Sequence, residues 1–328
     1  MKTLQLSSFG APADVVELAE VAPANPGPGQ LAVSMEAAPI NPSDLNLIRG
    51  VYGVRPSLPA ALGAEGVGRV IAVGDGVDGS RVGTRVLVVP TLEQATWSQQ
   101  LVLDERNAVP VDLDGDPLQL AMLGINPITA YCLLHGYVKL APGAWVAQTG
   151  ASSATAGYVL ALAKHARLRT LNVVRRADSV KPLLDAGADV VLVEGPDLAE
   201  RGADAIRDAP VELIIDAVGG EPAAELASLL KIGGQIISYT ARARQPLSIP
   251  VADLIFRGLS VHGYWVNLWL ASTPRDTVTQ TYHELAALVA DGILSAPVEA
   301  TYALADYREA IADAARNDRH GKVLFALR

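Results

Sequence analysis

Apolar residues fall into two textures along the chain. Up to about Asp116 they form short β-like runs broken by Pro and Gly. Examples are Gln30–Met35, Gly68–Val73 and Thr84–Val89, separated by turn signals such as Pro26-Gly27-Pro28-Gly29 and Gly74-Asp75-Gly76. This spacing predicts an irregular, mostly β, antiparallel region. From about Leu118 the runs become solidly apolar and alternate with helical segments, the pattern of a parallel sheet with crossover helices. Strands are expected at Trp145–Gln148, Thr170–Val174, Val190–Val193, Leu213–Asp216, Gln235–Ser238 and Leu259–Gly263. Helices are expected between them, among them Ala156–His165 and Glu221–Lys231. Six strands so arranged predict a doubly wound, Rossmann-type α/β sheet.

After Tyr264 the texture is mixed again, with helices expected near Arg275–Asp291 and Ala305–Asn317 and a terminal strand at Lys322–Leu327. Such a strand can return to the first region. The expected division is therefore a discontinuous catalytic domain of residues 1–117 and 265–328 around a nucleotide-binding domain of residues 118–264.

At 328 residues the chain exceeds what one hydrophobic core ordinarily serves. A net charge of −9 argues against nucleic acid, whose phosphates call for concentrated Lys and Arg. One cysteine, Cys132, excludes an intrachain disulfide and any multi-cysteine metal site. The opening residues lack an apolar signal-peptide stretch, and no run reaches the ~18–20 residues of a membrane span. The expectation is a cytoplasmic protein with no membrane partner.

The Trp145–Gln148 strand leads into Thr149-Gly150-Ala151-Ser152-Ser153-Ala154-Thr155-Ala156-Gly157 and then an apolar helix. Small residues there let backbone amides approach a pyrophosphate. The same turn without the full glycine pattern also suits a plain strand-to-helix corner. About twenty residues on, where an acidic residue would bind the ribose of NAD, stand Arg175 and Arg176. Two guanidinium groups suit a 2′-phosphate and hence NADPH, and adjacent arginines are also ordinary on a solvated surface.

Three segments carry a family likeness: Asn41 to Tyr52 (N-P-S-D-x-N-x-I-x-G-x-Y), Gly124-Ile125-Asn126-Pro127-Ile128-Thr129-Ala130-Tyr131, and Gly263-Tyr264-Trp265-Val266. On these the chain resembles the zinc-independent medium-chain dehydrogenase/reductase superfamily, nearest the mitochondrial-type 2-enoyl thioester reductases of fatty acid metabolism and similar to quinone oxidoreductases. The resemblance implies a GroES-like catalytic domain, a likeness over nearly the whole chain, and dimerisation, here as a homodimer. It makes Tyr52 the proton donor. It makes Asn126, Ser152, Ser153, Ala154, Thr155, Arg175, Arg176, Tyr239, Tyr264, Trp265, Val266 and Lys322 the cofactor-binding residues. Departures are Ala154 and Ala156 where the family keeps glycines, and Ala177 after the arginine pair. Metal-dependent relatives carry Gly-His-Glu where this chain has Gly63-Ala64-Glu65, and alanine cannot ligate zinc. No metal is expected.

The implied reaction is NADPH-dependent reduction of the 2,3 double bond of a trans-2-enoyl thioester of coenzyme A or acyl carrier protein. Hydride goes to the β-carbon and a proton from Tyr52 to the α-carbon. A phenol of ordinary pKa, about 10, is protonated at neutral pH and suits that role. Asp44 is expected to anchor its own loop. Two alternatives stand beside this reading: reduction of quinones or enones without need of Tyr52, and a noncatalytic NADPH-binding protein.

Overall fold

The computed structural model describes residues 1–92, 95–111, 115–240, 245–316 and 318–327. The chain divides into two compact units, Met1–Ile128 with Leu270–Arg328, and Thr129–Trp269. The joints at residues 117 and 264 expected from texture differ from these. A short helix, Pro117–Ala121, packs onto the Gln30–Pro39 and Gly66–Val73 strands and so stays with the first unit.

The first unit is built on a seven-stranded sheet whose centre is the long strand Gln30–Pro39. Gly66–Val73 and Gln100–Asp104 pair with it antiparallel, and Arg85–Val88 and Ala108–Pro110 extend the sheet. The terminal strand Lys322–Ala326 returns to it, setting Leu324, Phe325 and Ala326 opposite Pro39, Ala38 and Ala37. Val298–Tyr302 is parallel to that strand, the one departure from the antiparallel expectation among the described residues. The buried face gathers Leu31, Val33, Met35, Val70, Trp97 and Phe325, with the Trp97 and Phe325 rings edge to face at 5.4 Å.

The second unit holds six parallel strands in the order Val190–Val193, Arg169–Val174, Trp145–Gln148, Val211–Asp216, Leu230–Ser238, Ser260–Gly263. In chain order this is 3-2-1-4-5-6, the doubly wound arrangement whose direction reverses between the first and fourth strands. Ala147, Leu171, Val173, Ile214 and Ile236 fill one of its cores. The expected helix at Glu221–Lys231 is shorter: it runs Gly220–Leu226, passes through a 3-10 turn, and yields to strand at Leu230. Pairing of Leu230 with Val211 draws that residue into the sheet against its helical pattern. Near the C-terminus the helix is Tyr307–Ala314, after a 3-10 turn at Leu304–Asp306; Asn317, the end of the expected helix, lies outside the described residues. No described helix is long and apolar enough to cross a membrane.

Candidate active site

The opening motif folds into a helix, Pro42–Ile48, followed by a tight loop that carries Tyr52. Proline at the first helical position needs no hydrogen-bond partner for its nitrogen. Asp44, one turn in, accepts the Asn41 amide at 2.7 Å, so the carboxylate anchors its own helix start. The helix ends because Gly50 takes φ +71°, and a Cβ there would stand 3.1 Å from Phe9. Arg55 then grips the Gly50 carbonyl with Nε at 3.0 Å and Nη2 at 2.7 Å, its guanidinium over the Phe9 ring. These contacts fix the half-buried Tyr52 on a rigid loop.

Beneath that helix lies a polar cluster that joins three separate motifs. Asn41 donates from Nδ2 to Glu65 Oε1 at 2.7 Å. Its Oδ1 accepts from Lys322 Nζ, and from Asn126 Nδ2 at 3.3 Å. Glu65, Asn41, Asp44 and Lys322 are all buried, Glu65 completely. Gly124 is glycine here for a reason of space: a Cβ would come within 2.8 Å of Glu65 Cβ. Its carbonyl is held by the Tyr282 hydroxyl at 3.0 Å. Burial raises Glu65 from 4.5 to about 8 and Asp44 from 3.8 to about 6, with the Lys322 charge opposing both shifts. Burial likewise lowers Lys322, opposed by Glu65 and Asp44. At neutral pH these values leave Asp44 ionised and Glu65 protonated.

In the second unit the candidate cofactor residues gather along the carboxyl edge of the sheet. The turn after Trp145–Gln148 begins the twelve-residue helix Ala154–His165, with Ser153 capping it by accepting the Ala156 amide. Ser152 is exposed, Ser153 and Ala154 half-buried, and Thr155 buried. Of the two alanines in place of glycine, Ala156 is turned inward at 1 % exposure. Gly150 takes φ +59°, and a Cβ on it would press on Ala217 and Val218 of the neighbouring loop. Arg175 and Arg176 follow the second strand, both exposed; Arg176 is paired with Asp178 at 3.1 Å, whereas Arg175 has no ion pair among the described residues. Tyr239 follows the fifth strand and Tyr264 the sixth, with the Tyr264 amide on the Ser238 carbonyl. Trp265 and Val266 come next, at the head of a short helix.

Asp216 locks these strand ends together, a role no sequence signal announced beyond an acid at the close of an apolar strand. Its Oδ1 accepts from the Thr149 hydroxyl at 2.7 Å and from the Val218 and Gly219 amides, and its Oδ2 from Ser238 at 2.6 Å. The result is a rigid crevice floor at the reversal of strand order, where open α/β sheets bind ligands. A helix N-terminus flanked by an exposed serine, with an unpaired arginine at the next strand's end, suits a phosphorylated dinucleotide. Lys322 belongs to the buried cluster of the first unit.

Comparison with known proteins gives this geometry its lineage. Residues 27–149 match the alcohol dehydrogenase GroES-like domain, and residues 186–324 the zinc-binding dehydrogenase domain. The mitochondrial enoyl-(acyl-carrier-protein) reductase of Rattus norvegicus is 35% identical over 316 residues, covering 95% of this chain and 84% of the relative. The chain belongs to the enoyl reductase family of medium-chain dehydrogenases/reductases. The family's fold recurs in a protein described as an NADPH:quinone reductase from Bacillus thuringiensis, at TM-score 0.90 and 26% identity, with 99% of this chain and 98% of that one covered. It recurs also in the Etr1p complex with NADP and crotonyl-CoA, at TM-score 0.83 and 26% identity, with 99% of each covered. Etr1p from Candida tropicalis, a mitochondrial 2-enoyl thioester reductase, is known too as an Etr1p/Etr2p heterodimer. The zinc in one domain's description finds no ligand set among the described residues. Among the described residues no three His, Cys, Asp or Glu side chains group to hold a metal, Ala64 cannot ligate, and Cys132 is buried beside Tyr264.

Proposed function

We propose that this protein reduces the 2,3 double bond of trans-2-enoyl thioesters with NADPH. The observation that carries the reading is the conjunction of a tyrosine on a loop held by Arg55 with kinship to reductases of this class. When bound, NADPH supplies the hydride to the β-carbon. Ser152, Ser153, Ala154 and Thr155 hold its pyrophosphate at the helix N-terminus, and Arg175, with Arg176, pairs its 2′-phosphate. Tyr239, Tyr264, Trp265 and Val266 line the approach of the nicotinamide, and Asn126 contacts the cofactor. Tyr52 gives its phenolic proton to the α-carbon as the enolate forms, completing the saturated thioester.

A second reading, reduction of quinones or enones, draws support from the likeness to the Bacillus thuringiensis protein. Turnover of a crotonyl thioester, an enone and a quinone at matched concentration separates the two. The account expects the thioester to be preferred, and preference for the quinone would overturn it.

We also infer a homodimer. The Ser260–Gly263 strand ends the six-stranded sheet with one side unpaired among the described residues, and Val261, Ile255 and Phe256 beside it are 43%, 66% and 80% exposed. An apolar sheet edge of this kind favours pairing with another copy. The single cysteine suits a reducing compartment such as the cytoplasm, although the curated relatives are named as mitochondrial.

A further inference from the structure

Asp216 is a fully buried acid at the end of an apolar strand, where Leu213, Ile214 and Ile215 already fill the core. Packing alone asks for no acid there, and burying one is costly unless donors meet it. Among the described residues four do: the Thr149 and Ser238 hydroxyls at 2.7 and 2.6 Å, and the Val218 and Gly219 amides, each at 3.0 Å. They take up the roughly four lone-pair positions that a carboxylate offers. Thr149 has one hydroxyl hydrogen, and its oxygen accepts the Ala217 amide at 2.9 Å, so that hydrogen points to Asp216. The next residue, Gly150, lies against the same loop, where a Cβ on it would stand 3.2 Å from Ala217 and 3.3 Å from Val218. The turn is held on its other flank by the Ala151 amide on the Val173 carbonyl at 3.0 Å. The second carboxylate oxygen serves the later strands. Ser238, which it holds, takes the Tyr264 amide on its carbonyl at 2.9 Å, and the Asp216 carbonyl takes the Tyr239 amide at 3.1 Å. All of these residues lie in the second unit, Thr129–Trp269.

We propose that Asp216 is a positioning residue for the dinucleotide. Without touching the ligand, it seats the 149–153 turn through Thr149, and through Ser238 the strand ends that carry Tyr239 and Tyr264. The pyrophosphate and nicotinamide half of NADPH then meets a preformed crevice. The adenosine 2′-phosphate end, matched to Arg175 and Arg176 after another strand, does not depend on it. The inference rests on the NADPH reading above.

Dissociation constants on the full chain test it, measured for NADPH and for adenosine 2′,5′-bisphosphate, which lacks the pyrophosphate bridge and the nicotinamide. Asp216→Ala weakens NADPH binding about tenfold or more, and the milder Thr149→Val and Ser238→Ala each weaken it about threefold to tenfold. Adenosine 2′,5′-bisphosphate stays within about twofold of the parent in all three. Asp216→Asn, whose oxygen still accepts from Thr149 and the two amides, restores most of the NADPH affinity. Adding Thr149→Val to Asp216→Ala brings no further loss, because both cut one link. Should Asp216→Ala not fold, Thr149→Val and Ser238→Ala carry the same comparison, each removing one hydroxyl and leaving the carboxylate its other donors. Equal losses for both ligands would mean that Asp216 only holds the fold, and unchanged NADPH binding in the variants would mean that the crevice needs no such support; either overturns the inference. A parent that does not bind NADPH would sink the cofactor reading and this inference with it. Equal losses for both ligands in a chain that still reduces enoyl thioesters would sink the positioning role alone.

Discussion

At the scale of single residues, Glu65 gives the most direct reading of the buried cluster. An unfolded glutamate ionises near 4.5, whereas burial holds Glu65 protonated to about 8. Between those values the folded state keeps a proton that the unfolded state has released. Its stabilising effect is therefore fully present below pH 4.5 and is lost as pH rises through about 8. Asp44 acts in the same sense over a lower window, from 3.8 to about 6. Lys322, with a lowered value, acts in the opposite sense on the alkaline side. Thermal melts at pH 6 and pH 8.5 should show the parent losing stability and Glu65→Gln losing less. Parallel falls in both would contradict a buried, protonated Glu65. Arg175 makes a second residue-level prediction, because it is the arginine of the pair without an ion pair among the described residues. Arg175→Ala should weaken NADPH binding about tenfold or more and leave NADH little changed, since a guanidinium–phosphate pair is a strong, charge-assisted contact. Equal losses for both cofactors would contradict the assignment.

Among the elements, those with one dominant pattern were legible and those shaped by distant partners were not. Trp145–Gln148 and Val190–Val193 stand where their apolar, β-branched runs predict. The Glu221–Lys231 helix falls short because Val211, from another strand, claims Leu230. The polar cluster was visible only as separate motifs: Asn41 and Lys322 stand 281 positions apart, and no local periodicity joins them. Glu65 and Asn41 stand in motifs whose local pattern assigns them no role, and only their contact supplies one. The edge strand Ser260–Gly263 carries its own prediction. Val261→Lys places a charge on the exposed apolar edge, and light scattering should report a shift from dimer toward monomer. An unchanged molar mass would remove this edge from the interface.

For the molecule as a whole, each unit contributes what its architecture does well. The antiparallel unit, tied by its returning terminal strand, makes the rigid loop that carries Tyr52. The parallel unit offers the carboxyl edge where its strand order reverses, floored by Asp216. Family kinship ties this division of labour to enoyl reduction, and the central claim is that Tyr52 supplies the proton. The most direct test is NADPH oxidation with crotonyl-CoA, compared between the parent and Tyr52→Phe, with NADPH affinity measured alongside. The account predicts that turnover falls by about 10² to 10⁴ while the NADPH dissociation constant stays within about twofold. Full turnover by Tyr52→Phe on a thioester that the parent reduces would contradict it.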